Sequence, residues 1–241
     1  SAAALTLPSP PIPRCRPASS SPTTTLSTLF SALWLWASPI QREEREVSDV
    51  TVGKTLGLLK NKTILTLFFG IFFVVGIDVG TNFISSKVMI ERFGWEVTQA
   101  GVAPQVYFIS RTIGAFLGVF LMTKIKPATY YRYNIVACIA VVGLLALCRF
   151  EPGFTLALIG AVGFLCSCIF PIIYSMSVQT EPTKGNLISG LMITAVAGGG
   201  AATPFIGWAT DGFGSITAGI CVLLVCAVYL AYCAFGVKVN D

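Results

Sequence analysis

GIFFVVGIDVGTNFISSKV, residues Gly70 to Val88, decides how the chain is read. A dozen mostly apolar residues precede Asp78, and the apolar run reaches from Ile64 to Ile90. A helix rises about 1.5 Å per residue, so some 24 residues cover roughly 36 Å, enough to cross a bilayer with tilt. The composition agrees. Of 241 residues, 54% are hydrophobic and 11% charged, with a mean hydropathy of +0.78. Soluble domains carry roughly 25% charged residues, so the composition argues against an aqueous globular fold. The absence of histidine removes the commonest metal ligand and general base. Of the eight cysteines, Cys138, Cys148, Cys166, Cys168, Cys221, Cys226 and Cys233 lie in apolar runs and Cys15 stands apart. They read as small packing residues rather than a disulfide framework.

Further runs follow the same rule. Leu26 to Ala37, twelve residues, has the length of a helix tail. After Ile64–Ile90 come Gln99–Thr123, Tyr133–Cys148, Phe154–Val178, Leu187–Thr210 and Phe213–Val237. The Tyr133 run is the shortest and reaches a spanning length by starting a turn earlier, at Thr129. The total expected is one partial and five complete transmembrane helices in an all-α membrane protein. These runs are too long and too uniformly apolar for the roughly ten-residue alternating strands of a membrane barrel.

Loop charges set the expected orientation. One side holds Arg42, Arg45, Lys54, Lys60, Lys62, Lys124, Lys126, Arg132, Lys184 and Lys238; the other holds Lys87, Arg92 and Arg149. The positive-inside rule places the first side, with the C-terminus, in the cytoplasm. Residues 1–25 differ from everything after them: six prolines, no acidic residue and no hydrophobic period. They read as a disordered tail, or as a misread segment joined to a chain whose upstream part is missing.

Asp78 falls at the midpoint of its run, and Arg111, in YFISRTIGAFLG, at the midpoint of Gln99–Thr123. Two opposite charges thus share one depth on consecutive antiparallel helices. A lone charge at mid-bilayer costs about 2.5–3.5 kcal/mol on insertion scales, so such groups pair or face a cavity. Two readings stay open: an ion pair that fixes helix packing, or a cavity-lining polar site. Asn82, Ser85 and Ser86 follow Asp78 on one helical face, and Gln105 and Phe108 precede Arg111 at spacings of three. In Phe154–Val178, Ser167 and Tyr174 flank Pro171, which removes a backbone hydrogen bond and can kink the helix. Gly198, Gly199 and Gly200, then Pro204, make the next helix deformable; close packing and a gate are both compatible with them.

FFVVGIDVGTNFISSKVMIERFG, ISRTIGAFLG, FPIIYSMSVQ and NLISGLMITAVAGGGAATPFIGWATDGFG resemble the C-terminal half of a sugar transporter of the major facilitator superfamily. The nearest group is that of the fucose and glucose/galactose permeases. The resemblance covers residues 26–238. It implies that 26–37 end a sixth helix, that 38–63 form the central cytoplasmic loop, and that the remainder makes a six-helix half of a twelve-helix fold. It also implies a monosaccharide substrate at midplane between two halves, alternating access, coupling to protons, and a bacterial inner membrane. The helices at Ile64–Ile90 and Phe154–Val178 would line the cavity, which puts Asp78, Asn82 and Tyr174 near substrate. Gln105, Phe108 and Arg111 would lie beside them, with Pro171, Gly198, Gly199, Gly200 and Pro204 as gating positions.

An enzyme is not expected, nor a metal, a cofactor or nucleic acid as partner. The expected partners are lipid, a sugar, protons and an N-terminal half. An intramembrane aspartyl protease would need a second facing aspartate, and Asp211 sits at a helix end without the required glycine setting. A half-length protein acting as a partner or sensor is the alternative to transport.

Overall fold

The computed structural model describes residues 29–31, 33–34, 52–147 and 151–237. The expectations for residues 1–25, for most of the 38–63 loop, and for Cys15, Cys148, Arg149 and Lys238 lie outside these. Residues 1–48 and 49–241 are separate compact units. In the first, residues 29–31 and 33–34 are helical, and the rings of Phe30 and Trp34 lie 6.2 Å apart.

The second unit consists of α1 (Val52–Gly57), α2 (Lys62–Phe93), α3 (Val97–Ala100), α4 (Val102–Met122), α5 (Pro127–Leu147), α6 (Pro152–Cys166), α7 (Ile169–Thr180), α8 (Gly185–Ala195), α9 (Gly198–Phe213) and α10 (Ile216–Gly236), with 3₁₀ turns at Leu58–Lys60 and Pro182–Lys184. Among the described residues six segments are long and apolar enough to cross a membrane: Lys62–Phe93, Val97–Met122, Pro127–Leu147, Pro152–Thr180, Pro182–Phe213 and Ile216–Gly236. The six-helix half is therefore all of complete spans. These six match one for one the six apolar runs from Ile64 onward, so the expected total of five complete helices is one short of the runs themselves, and the six-helix half stands as expected. The short Tyr133 run is extended upstream, as expected. It is the C-terminal part of a 21-residue helix that starts at Pro127, in a polar stretch that hydropathy alone discounts.

Local chemistry sets the helix ends. The Asn61 side chain accepts from the Thr63 amide at 3.0 Å and caps α2. Gly94, at φ 66°, ends it in the left-handed conformation, its amide returning to the Ile90 carbonyl at 2.9 Å. Pro152 occupies the first turn of α6, where its missing N–H costs nothing.

α2 is central: it packs against α4, α6, α7, α9 and α10. Its neighbour α4 is held to α6 through small residues. A Cβ on Gly114 would stand 2.6 Å from the Phe164 carbonyl oxygen, and one on Gly163 2.6 Å from that of Tyr107. Gly114 and Gly118 form a Gly-x-x-x-Gly face, the device that lets membrane helices approach backbone to backbone. The outward faces of α4 and α10 carry Phe120, Val225 and Tyr232 exposed, as helices bathed in hydrocarbon require.

Two spans are interrupted. α6 and α7 are broken at Ser167 and Cys168, one turn before Pro171, whose ring nitrogen cannot donate to the Ser167 carbonyl. α8 and α9 are broken at Val196 and Ala197, where Val196, Ala197, Gly199 and Gly200 donate three residues back, at 3.0–3.1 Å. This local 3₁₀ winding sits immediately before and across the glycine run.

Candidate functional site

Asp78 stands in the middle of α2 on a face shared with Thr81, Asn82 and Ser85. α4 runs antiparallel beside it. Arg111 Nη1 makes an ion pair with Asp78 Oδ2, and the Tyr107 hydroxyl donates to Asp78 Oδ1. Tyr107 and Arg111 are one helical turn apart, so a single face of α4 delivers both donors. The two charges at matched depth thus meet, as the sequence predicts. Tyr107 joins them as a third member that the sequence reading missed. The signal was its place four residues before the arginine.

The three groups differ in exposure. Tyr107 is fully buried, whereas the Arg111 and Asp78 side chains keep 30% and 20% of their surface open. Arginine has five N–H donors in a fixed fork, and the Asp78 contact uses only part of it. The rest borders a groove of about 450 Å³ lined by Phe108, Arg111, Thr112, Ala115, Phe116 and Val119. An aromatic face next to hydrogen-bonding groups suits a small hydroxylated solute.

The other expected site residues divide. Phe108 joins Arg111 in the groove wall. Asn82, half-buried, follows Asp78 by one turn, and Gln105 is exposed on α4. Ser85 is buried and donates to the Asn82 carbonyl at 2.7 Å, so it satisfies its own helix rather than extending the polar stripe into open space. Tyr174 stacks with Phe170, ring centroids 6.3 Å apart. Its neighbour Ile173 packs at Gly70, 3.5 Å from where a Cβ would be. Gly70 precedes Asp78 by about two turns, roughly 12 Å along the axis, so Tyr174 belongs to another level of the half.

The glycine run also divides. A Cβ on Gly198 would meet the Phe72 carbonyl oxygen at 2.5 Å, and one on Gly199 would meet Val75 Cγ1 at 2.8 Å. Both are packing residues of the α2–α9 contact. Gly200 has nothing within 4 Å, and Pro204 is exposed inside α9. The described cysteines fit the packing expectation except Cys221, which is exposed. Cys138 and Cys166 touch, Sγ to Sγ, at 3.4 Å.

No protein-family model matches the chain. Over 186 residues, 76% of the chain, it is 27% identical to proteins named as glucose/galactose transporters in two strains of Helicobacter pylori. The chain spans 44% of their length. Among solved structures it aligns with FucP, a major facilitator superfamily transporter captured in the outward conformation, at a TM-score of 0.75 and 16% identity. The alignment covers 88% of this chain and 52% of FucP. The Escherichia coli fucose:proton symporter FucP matches equally well. The chain therefore has the fold of about half of FucP, and its sequence is similar to that of named glucose/galactose transporters.

Proposed function

We propose that this chain is the C-terminal half of a monosaccharide permease that carries a hexose or fucose by proton-coupled alternating access. The observation that carries the reading is the Tyr107–Asp78–Arg111 cluster, midway along two membrane-length helices, whose arginine opens onto a groove that Phe108 borders. Complete enclosure would strengthen the Coulomb attraction but raise the desolvation cost of both charges, so the open side matters for what it presents rather than for the strength of the pair. Partial exposure leaves arginine donors available to hydroxyls. A sugar supplies many hydroxyls and an apolar ring face, and brings no charge that the membrane interior must accept. Substrate would bind between this half and its N-terminal counterpart, with the breaks at Ser167 and at Val196–Ala197 as the points where helices bend. The lysine and arginine distribution favours a cytoplasmic C-terminus, and the similarity to two Helicobacter pylori proteins favours a bacterial inner membrane.

The test is uptake of labelled galactose, glucose and fucose by transport-deficient cells expressing the full reading frame that contains this chain. Saturable uptake that a protonophore abolishes is expected. Asp78→Asn should keep the protein in the membrane and lower uptake. Sugar binding without uptake would leave a sensor or partner role, and neither binding nor uptake would overturn the reading.

A further inference from the structure

We propose that Asp78 is the internal counter-ion of Arg111 and thereby restricts the groove to uncharged solutes, so that sugar acids of the same ring size are refused. The inference rests on the reading of this groove as the sugar site. It starts from an imbalance in the lining: Arg111 is its only charged member, beside Phe108, Thr112, Ala115, Phe116 and Val119. An unpaired guanidinium there would be a ready carboxylate receptor, because its planar fork matches a carboxylate in two parallel hydrogen bonds. Asp78 Oδ2 sits on Nη1 and compensates the charge, so the donors still facing the groove belong to a cation that is already neutralised.

The carboxylate is also held from behind. Tyr107 donates to Oδ1 and is itself immobile, with no exposed surface and its backbone carbonyl against Gly163. Tyr107 is thus a positioning residue that stops Asp78 from swinging away. A solute carboxylate entering the groove would have to displace that fixed anion and would be repelled by it. A neutral sugar needs only the arginine donors left over.

Asp78→Asn tests this. The substitution keeps shape, and its amide oxygen still accepts from Tyr107, but it leaves Arg111 uncompensated. The assay is competition of galactose uptake by galacturonate, with the full reading frame expressed in cells and the variant's amount in the membrane measured. Wild type should ignore galacturonate. In Asp78→Asn its inhibition constant should fall by about tenfold or more relative to galactose. The double variant Asp78→Asn/Arg111→Gln should lose that gain, because the freed cation is gone. An Asp78→Asn protein at wild-type abundance that still ignores galacturonate would overturn the proposal. If that variant does not reach the membrane, Tyr107→Phe takes its place: loosening the carboxylate should admit galacturonate weakly, and complete refusal counts against the proposal. If wild type transports no neutral sugar, the transport reading fails by itself. The melting temperature of purified Asp78→Asn with and without galacturonate then reads the counter-ion role directly: a rise absent from wild type supports it, and no rise refutes it.

Discussion

The α4–α6 seam makes a sharp demand on Gly163. An added Cβ there would stand 2.6 Å from the Tyr107 carbonyl oxygen and 3.0 Å and 3.1 Å from two of its ring carbons. Carbon–oxygen contacts begin near 3.3 Å, so the backbone of α4 must retreat by about 0.7 Å at Tyr107 itself. No rotamer relieves this, because the obstructing atom is main chain. Overpacking of this kind costs about 1–3 kcal/mol. Gly143 in α5 is the matched control: its added Cβ would find nothing within 4 Å, and α5 continues on both sides of it. There alanine removes only backbone freedom and stabilises by up to about 1 kcal/mol.

Both variants are read by thermal unfolding in detergent. For a chain of this size each kcal/mol moves the midpoint by roughly 2–4 °C, so Gly163→Ala should fall by several degrees and Gly143→Ala should hold or rise. A functional signature accompanies the first. The displacement moves Tyr107, whose hydroxyl reaches Asp78, so Gly163→Ala and Tyr107→Phe should be non-additive in sugar uptake. Equal melting of the two glycine variants would refute the backbone-to-backbone contact. Additive losses of uptake would refute its link to the cluster.

Other perturbations separate readings that share the same residues. Arg111→Ala should lower membrane abundance more than Arg111→Ala combined with Asp78→Ala, because the single change leaves a partly buried carboxylate without its counter-ion. Breaking a fully buried pair costs about 3–5 kcal/mol, and the 30% and 20% exposure of these side chains reduces that figure. A double variant less abundant than the single one would contradict this. Gly200→Ala should keep the melting temperature, since nothing lies within 4 Å, yet slow sugar uptake if α9 bends there; unchanged uptake would remove Gly200 from the gate. Cys138 and Cys166, 3.4 Å apart, should be joined by molecular iodine, which takes two electrons as the two thiols lose their protons and form one sulfur–sulfur bond. Alkylation of both thiols after unfolding of the treated protein would show that α5 and α6 do not meet there.

Much of this architecture is legible from apolar length alone, because a lipid solvent leaves helices few alternatives. Each of the six spans overlaps an apolar run, with ends that differ by a few residues at most positions. The largest difference is at the start of α5, and its cause is chemical. Tyr130 and Tyr131 stand just before the apolar run, yet both are buried, and the Tyr131 hydroxyl donates to the Leu230 carbonyl at 2.7 Å. A hydropathy average cannot register a tyrosine whose one polar atom is satisfied by another helix's backbone. The glycine run shows the complementary limit. Three consecutive glycines look alike in sequence, but two of them face α2 and the third faces open space, a distinction set wholly by the partner helix.

The cluster itself shows why depth was readable and membership was not. Asp78 and Arg111 pair because charge at mid-bilayer has few places to go, and matched midpoints on antiparallel neighbours leave one obvious partner. Gln105, Phe108 and Arg111 were grouped by spacings of three, but each such step turns the helix by about 60° away from the starting direction. After two steps Gln105 and Arg111 point about 120° apart, which agrees with Gln105 being exposed while Arg111 reaches α2. A spacing of four drifts by only about 40° in the other sense, and that is where Tyr107 lies. The residue that completes the site was thus one turn from the arginine on its own face, hidden because a tyrosine counts as part of an apolar run. In a membrane helix the polar atoms of Tyr, Ser and Thr are therefore best sought at four-residue spacing from an intramembrane charge, since each must find an acceptor or donor inside the protein.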